Sequence, residues 1–253
     1  MKWILLFLAV IFLTVSGQAS SNNELSKAKK QIDEPLRLKY EPSGSNAWFP
    51  YYIHSQQRKG IVPEIIDLIL QRANIIGEEV ALPAARTNLA LENGDIDFDF
   101  INPAWLPADV PIERYVFSAP IIPVKESYIA LTANAISLLT QKMKQSDHVQ
   151  IGTVRGYYYH DDNLFQRVDF SSEKNLIMAL QQRRVSYAIC DDITAQYWSN
   201  VLSVPIVIGQ SHSDGFLRIR LRKELAVIIP RLNRAINELK HAGVIAKIID
   251  SYL

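Results

Sequence analysis

The chain has 253 residues, with 27 basic and 26 acidic side chains, five histidines and one cysteine. So even a balance excludes partners that need a net positive field, so neither nucleic acid nor an anionic membrane surface is expected. The lone Cys190 excludes an internal disulfide, and stability must come from packing, for which 48% hydrophobic residues are an ordinary supply.

Met1 and Lys2 make a short positive start, residues 3–15 are apolar except for Thr14, and Ser16-Gly17-Gln18-Ala19 supplies small residues. The run is short for a bilayer and ends in a cleavage-like site, so residues 1–19 read as a secretory signal peptide. An uncleaved anchor is the other reading. No cysteine stands near the cleavage point, so the expected mature form is periplasmic and carries no lipid. Residues 20–34 have no apolar periodicity and read as a disordered leader.

Residues 36–40 alternate as a strand. A loop with Pro42, Gly44 and Pro50 then carries Trp48, Phe49, Tyr51 and Tyr52. The pairs Ile61/Val62, Ile65/Ile66 and Ile69/Leu70 recur every four residues, which places them on one helix face. Residues 87–93 form a second helix stopped by Gly94, and 96–100 alternate as a strand. On that strand Asp97 and Asp99 fall on the less buried face, as structural residues. Strands alternating with helices predict an α/β layer with a largely parallel sheet.

Beyond Pro120 and Pro123, strands are expected at 127–132, 149–154 (ending at Gly156), 167–170 and 185–190, with helices at 176–182 and 193–199. Residues 210–215 read as a polar loop and 216–221 as a strand. A stripe of Leu225, Ile228/Ile229, Leu232, Ala235/Ile236 and Leu239 marks a long helix, and a short one follows Gly243. Cys190 lies in an apolar run and reads as a small buried hydrophobe.

Motifs for phosphate cradling, dinucleotide binding and a nucleophile elbow are missing. The histidines at 54, 148, 160, 212 and 241 lack the close spacing of metal sites, and His160-Asp161-Asp162 reads as a solvated loop. No cofactor and no metal is expected.

Several segments, in order, resemble the extracellular solute-binding proteins of family 3, the polar amino-acid type. They are Trp48-Phe49-Pro50-Tyr51 followed by Gly60-Ile61-Val62-Pro63-Glu64, then Leu91-Glu92-Asn93-Gly94-Asp95-Ile96-Asp97, and Glu113-Arg114 with Phe117-Ser118-Ala119-Pro120. Later come Ile151-Gly152-Thr153-Val154-Arg155-Gly156, Val185 through Asp191, and Leu221-Arg222-Lys223-Glu224 with the C-terminal helices. The resemblance covers nearly all of residues 35–253. It implies the two-lobed type II periplasmic-binding-protein fold, two Rossmann-like α/β lobes joined by two hinge strands. Lobe 1 would take residues 35–122 and 207–253, and lobe 2 residues 123–206.

It also implies a function. A monomer would bind a small polar solute, an amino acid or related carboxylate, by closing near residues 121–123 and 204–208. It would deliver that solute to the permease of an ABC transporter, or act as a sensor, and catalyse nothing. The rival is a dehydratase-type enzyme on the same scaffold, with Glu126 or Asp191 as the acid.

A closed cleft must satisfy both charges of an amino acid. The resemblance makes Arg114 the carboxylate-binding arginine, whose planar fork donates two parallel bonds; the other reading is a surface ion pair with Glu113. Asn102 opens a 102–111 loop longer than its counterpart and offers an amide in place of the family's hydroxyls, while Trp105 is placed to wall the cleft. Arg86 is a second candidate, or a solvated residue at a helix start. Arg155-Gly156-Tyr157-Tyr158 is expected as a strand-to-helix turn whose N–H groups cradle an anion, with Tyr157 and Tyr158 making the pocket aromatic and Arg155 facing either cleft or solvent. Asp191 corresponds to the ammonium-binding aspartate, leaving the helix cap to Asp192. Trp48 matches the aromatic that stacks on the ligand; an ordinary core tryptophan is the alternative.

Overall fold

Strands and helices alternate along the chain in a computed structural model that describes residues 34–42, 48–53, 58–145 and 149–253. The expected signal peptide and nearly all of the leader lie outside these residues. No helix among them is long and apolar enough to cross a membrane.

The strands are β1 (Leu36–Tyr40), β2 (Ile75–Glu79), β3 (Phe98–Ile101), β4 (Tyr115–Phe117), β5 (Ile122–Ala130), β6 (Gln150–Val154), β7 (Gln166–Phe170), β8 (Ala188–Asp191) and β9 (Val207–Arg222). The helices are α1 (Ile61–Arg72), α2 (Ala84–Asn93), α3 (Ala133–Lys144), α4 (Glu173–Gln181), α5 (Asp192–Leu202), α6 (Ile229–His241) and α7 (Val244–Asp250). Among the described residues the strands form one sheet in the order β2-β1-β3-β9-β5-β8-β6-β7, with β4 also against β9.

The sixteen-residue β9 organises this sheet. Its first part runs antiparallel to β5 from Val207 to Leu217, and its last part pairs with β3 and β4 from Arg218 to Arg222. Parallel pairing is confined to the flanks, β1 with β3 and β6 with both β7 and β8. The expectation of a largely parallel sheet therefore fails at its centre. Two long strands cross there, and β5 bulges between Glu126 and Ile129 opposite β9.

Period-two burial explains the β6/β8 half. Ala188 and Cys190 face a core of Leu176, Ile177 and Leu180 from α4, while Ile151 and Ile189 face the other side with Leu139, Tyr159 and Phe165. Burial raises the Cys190 thiol well above its ordinary pKa, so it stays protonated and packs as a hydrophobe. At the other end, α1 buries Ile61, Val62, Ile65, Ile66, Ile69 and Leu70, at the spacing its sequence shows. Gly94 ends α2 in the left-handed conformation, at φ 81°.

Several elements depart from the sequence reading for identifiable reasons. Residues 210–215 are not a loop but the middle of β9, and two of their polar side chains are bonded inside: Ser213 donates to Glu126 at 2.8 Å and His212 bonds Asp161 at 2.6 Å. The strand expected at 127–132 begins at Ile122 and contains Pro123. There β5 has β9 on one side and no β8 partner on the other, an edge that tolerates a missing N–H. Finally, β2 and α3 were not expected. Only Ile75 of β2 and Leu139 of α3 are buried, so neither carries a periodic apolar signal.

Candidate functional site

A cavity opens where β3, β5, β8 and β9 approach one another. Its lining includes Trp48, Asp99, Trp105, Glu126, Tyr157, Tyr158, Asp191 and Arg220. The cavity volume is about 90 Å³, room for a few waters or a small guest.

Arg220 is the largest fully buried side chain, at 1% exposure. It sits on β9 directly opposite Asp99 on β3, so both side chains emerge on the same face of the sheet. Its Nε donates to Asp99 Oδ1 at 2.9 Å, a second nitrogen bonds Asp99 Oδ2, and that nitrogen also donates to Asn88 at 2.8 Å. The guanidinium lies 5.0 Å from the Tyr115 ring centroid. Asp99 was expected on the less buried face; it is 4% exposed and lines the cavity. The strand alternates, but the polar face here is the cavity face. Asp97 is structural, accepting from the Lys39 backbone at 2.8 Å and from Arg222 at 2.7 Å.

Asp191 ends β8 at the start of α5. Its Oδ1 accepts from the N–H groups of Ile193 (3.1 Å) and Thr194 (3.0 Å), and its Oδ2 from the Tyr51 hydroxyl (3.2 Å). Asp191 is therefore the cap that was assigned to Asp192, for a geometric reason: an aspartate held in extended conformation one residue before the helix reaches the second and third N–H groups. Asp192 is already helical and pairs with Lys125 at 3.5 Å. Burial, with the charge of nearby Glu126, outweighs these hydrogen bonds and raises the Asp191 carboxyl to about 7.

Glu126 on β5 stands directly across from Asp191. Trp105 Nε1 donates to Ser213 at 3.0 Å, and Ser213 donates on to Glu126. On the far side, His212 Nε2 bonds Asp161 at 2.6 Å, and its Nδ1 is 3.6 Å from Glu126. His160, Asp161 and His212 gather their ligand-type atoms within 4.8 Å of one another. The bond between His212 and Asp161 ties β9 to the segment that follows β6.

The remaining expected residues divide. Trp48 lines the cavity and stacks on Tyr51 with centroids 4.6 Å apart. Tyr157 and Tyr158 line it as well, and the Tyr157 hydroxyl donates to Glu173 at 2.8 Å. Asn102 does not reach the lining. It caps the 3-10 turn Pro103–Trp105 and packs against Gly215, where a Cβ would come within 2.5 Å of its Oδ1. Arg86, Arg114 and Arg155 are exposed. Arg114 lies in a second depression, with Glu113, Arg222 and Glu224. The anion-cradling turn also departs from expectation. No helix follows β6 directly, and of the turn's N–H groups those of Arg155 and Tyr157 donate to Phe170 O and Val154 O.

No family model and no curated protein matches the sequence. Solved structures match in fold. An arginine 3rd transport system periplasmic binding protein from Legionella pneumophila is 18% identical, with 86% of this chain and 100% of that one covered and a TM-score of 0.66. The GluR0 ligand-binding core in complex with L-glutamate is 16% identical over 86% and 98% of the two chains, with a TM-score of 0.70. The ancestral amino-acid-binding protein AncCDT-1, a precursor of cyclohexadienyl dehydratase, is 13% identical over 90% and 99%, with a TM-score of 0.66. The fold is the two-lobed type II fold of periplasmic binding proteins.

Glu126 sits on β5, and His212 and Ser213 sit on β9. Burial pulls the His212 imidazole down, but the Asp161 hydrogen bond and the Glu126 charge outweigh burial and raise it to about 9. A histidine raised above its unfolded pKa of about 6.5 contributes stability that is complete below that pH and fades as pH rises through about 9. Between pH 6.5 and 9 the chain is expected to lose on the order of 3 kcal/mol relative to His212→Gln. Urea unfolding of both proteins across that range measures it, and parallel curves would contradict it.

Proposed function

We propose that this chain is an exported solute-binding protein whose two lobes close on a small polar molecule and hand it to a membrane transporter. Lobe 1 takes residues 35–122 and 207–253, lobe 2 takes 123–206, and the signal is removed after about Ala19. Fold alone fixes no function. The observation that carries the reading is the Tyr51–Asp191 hydrogen bond at 3.2 Å, which ties the aromatic loop before α1 to the end of β8 across the cavity. The Phe49 and Tyr197 rings stack alongside, with centroids 3.5 Å apart. In this reading these contacts form when the lobes close, and a guest touching both sides shifts the population toward them. Similarity to a periplasmic binding protein of an arginine transport system and to the GluR0 core in complex with L-glutamate supports an amino-acid-sized guest.

The test is a thermal-shift screen of the mature protein against amino acids, small carboxylates and amines. A ligand at one hundred times its Kd adds about 2.7 kcal/mol, which raises the melting temperature of a chain this size by roughly 5–11 °C. The hit should return unchanged after incubation, since the reading assigns no turnover. A panel with no shift, or conversion of the hit, would overturn it.

A further inference from the structure

We propose that His160, Asp161 and His212 form a binding site for a divalent transition-metal ion of the zinc class. None of the three lines the solute cavity, and the site is independent of what that cavity binds.

His212 stands 51 residues beyond Asp161 in sequence, and the fold brings them together. One ligand-type atom from each of the three residues lies within 4.8 Å of the other two. His212 Nε2 is 2.6 Å from Asp161 Oδ1, and the His160 and His212 rings have centroids 4.6 Å apart. Two imidazoles with one carboxylate make a zinc site that leaves its fourth position to water. Magnesium and calcium, which take oxygen ligands, are poorly served by it. Donors about 2.0–2.2 Å from a tetrahedral zinc stand roughly 3.4 Å from one another. The His212–Asp161 pair therefore opens slightly on binding, and His160, which is exposed, turns inward. The ion replaces the hydrogen between Nε2 and Oδ1, which leaves to solvent as a proton.

The surroundings are those of a built site. The His212 side chain is 1% exposed and packs against the rings of Tyr128 and Tyr159, at 5.4 and 5.9 Å between centroids. Its Nδ1 is buried without a hydrogen-bond partner, and Glu126 Oε2 lies 3.6 Å from it. A metal on Nε2 puts the ring hydrogen on Nδ1, facing Glu126, which is how an outer carboxylate orients a ligating histidine. Asp161 Oδ2 accepts from the Tyr128 hydroxyl at 3.5 Å. Charges also match: Asp161 and Glu126 offer two negative charges to one divalent ion. Nearby Arg167 is already paired with Asp162 at 3.2 Å and Asp169 at 2.8 Å.

The experiment titrates zinc into the untagged mature protein, stripped with a chelator, by calorimetry and thermal shift. We expect one zinc per chain. At a hundred times its Kd it should raise the melting temperature by roughly 5–11 °C, reversed by chelator, while magnesium and calcium give no shift. His160→Ala, at an exposed position, should weaken zinc at least about a hundredfold and Glu126→Gln about tenfold. His241→Ala, on α6, is the control and should change nothing. A stripped protein that takes up no zinc would overturn the site, and so would an equal shift with magnesium. Affinity left intact by His160→Ala would place the ion on another surface histidine and overturn it as well. None of these results bears on the solute-binding reading.

Discussion

Replacing Arg220 with alanine is expected to lower the unfolding free energy by about 3–5 kcal/mol, because the change strands Asp99 as a buried charge with no counter-ion. Both groups are almost inaccessible to water, so neither can recover solvation without local opening. The melting temperature should fall by roughly 6–20 °C. Arg220 does not stabilise the fold as an isolated attraction; desolvating the pair offsets much of its Coulomb energy. For that reason the double change Arg220→Met with Asp99→Leu should recover most of the loss. Urea unfolding at pH 7 distinguishes the two. A single-variant loss below about 1 kcal/mol, the range of an exposed pair, would show that the pair is not buried as described.

Gly60→Ala is the second large effect, and it joins backbone geometry to the site. Gly60 adopts φ 102° and ψ 167° at the start of α1, a region open essentially to glycine alone. A Cβ there would stand 2.6 Å from Tyr51 O and 2.7 Å from Tyr52 Cα, both backbone atoms that cannot swing aside. The same turn receives Ile61 N–H on Pro50 O at 3.0 Å and Val62 N–H on Tyr51 O at 2.9 Å. Displacing it moves Tyr51 away from Asp191 and unsettles Trp48. We expect a loss of at least about 3 kcal/mol, combining backbone strain with the clash, and an altered near-ultraviolet circular dichroism signal from the Trp48–Tyr51 stack. Gly243→Ala is the control. Its φ is 69°, but nothing lies within 4 Å of the added Cβ, so its cost should stay near 1 kcal/mol.

The helices α1 and α6 were readable because burial repeats at three and four residues, and β8 because a strand buried on both faces is a short apolar run. Trp48, Tyr157, Tyr158 and Asp191 reach the cavity from segments whose boundaries the sequence marks with Pro50, Gly156 and the β8–α5 junction. Arg114 misled because its place depends on loop length. The 102–114 stretch makes two 3-10 turns, which bring Trp105 to the cavity and leave Arg114 outside. Arg220 went unseen inside a strand half-read as loop. Yet a signal existed: Asp97 and Asp99 alternate with apolar residues just as Arg218, Arg220 and Arg222 do, and opposite charges at period two fit adjacent antiparallel strands. Recognising that complement would have shown Asp99 as buried and the β3–β9 register as fixed.

Small-angle scattering of the mature protein, alone and with a saturating ligand, addresses the account at its root. The proposed closure of two lobes on a guest predicts a smaller radius of gyration with ligand than without it, and Tyr51→Phe with Phe49→Ala should raise the ligand concentration needed. An identical scattering curve in both states, with the ligand shown bound, would contradict it.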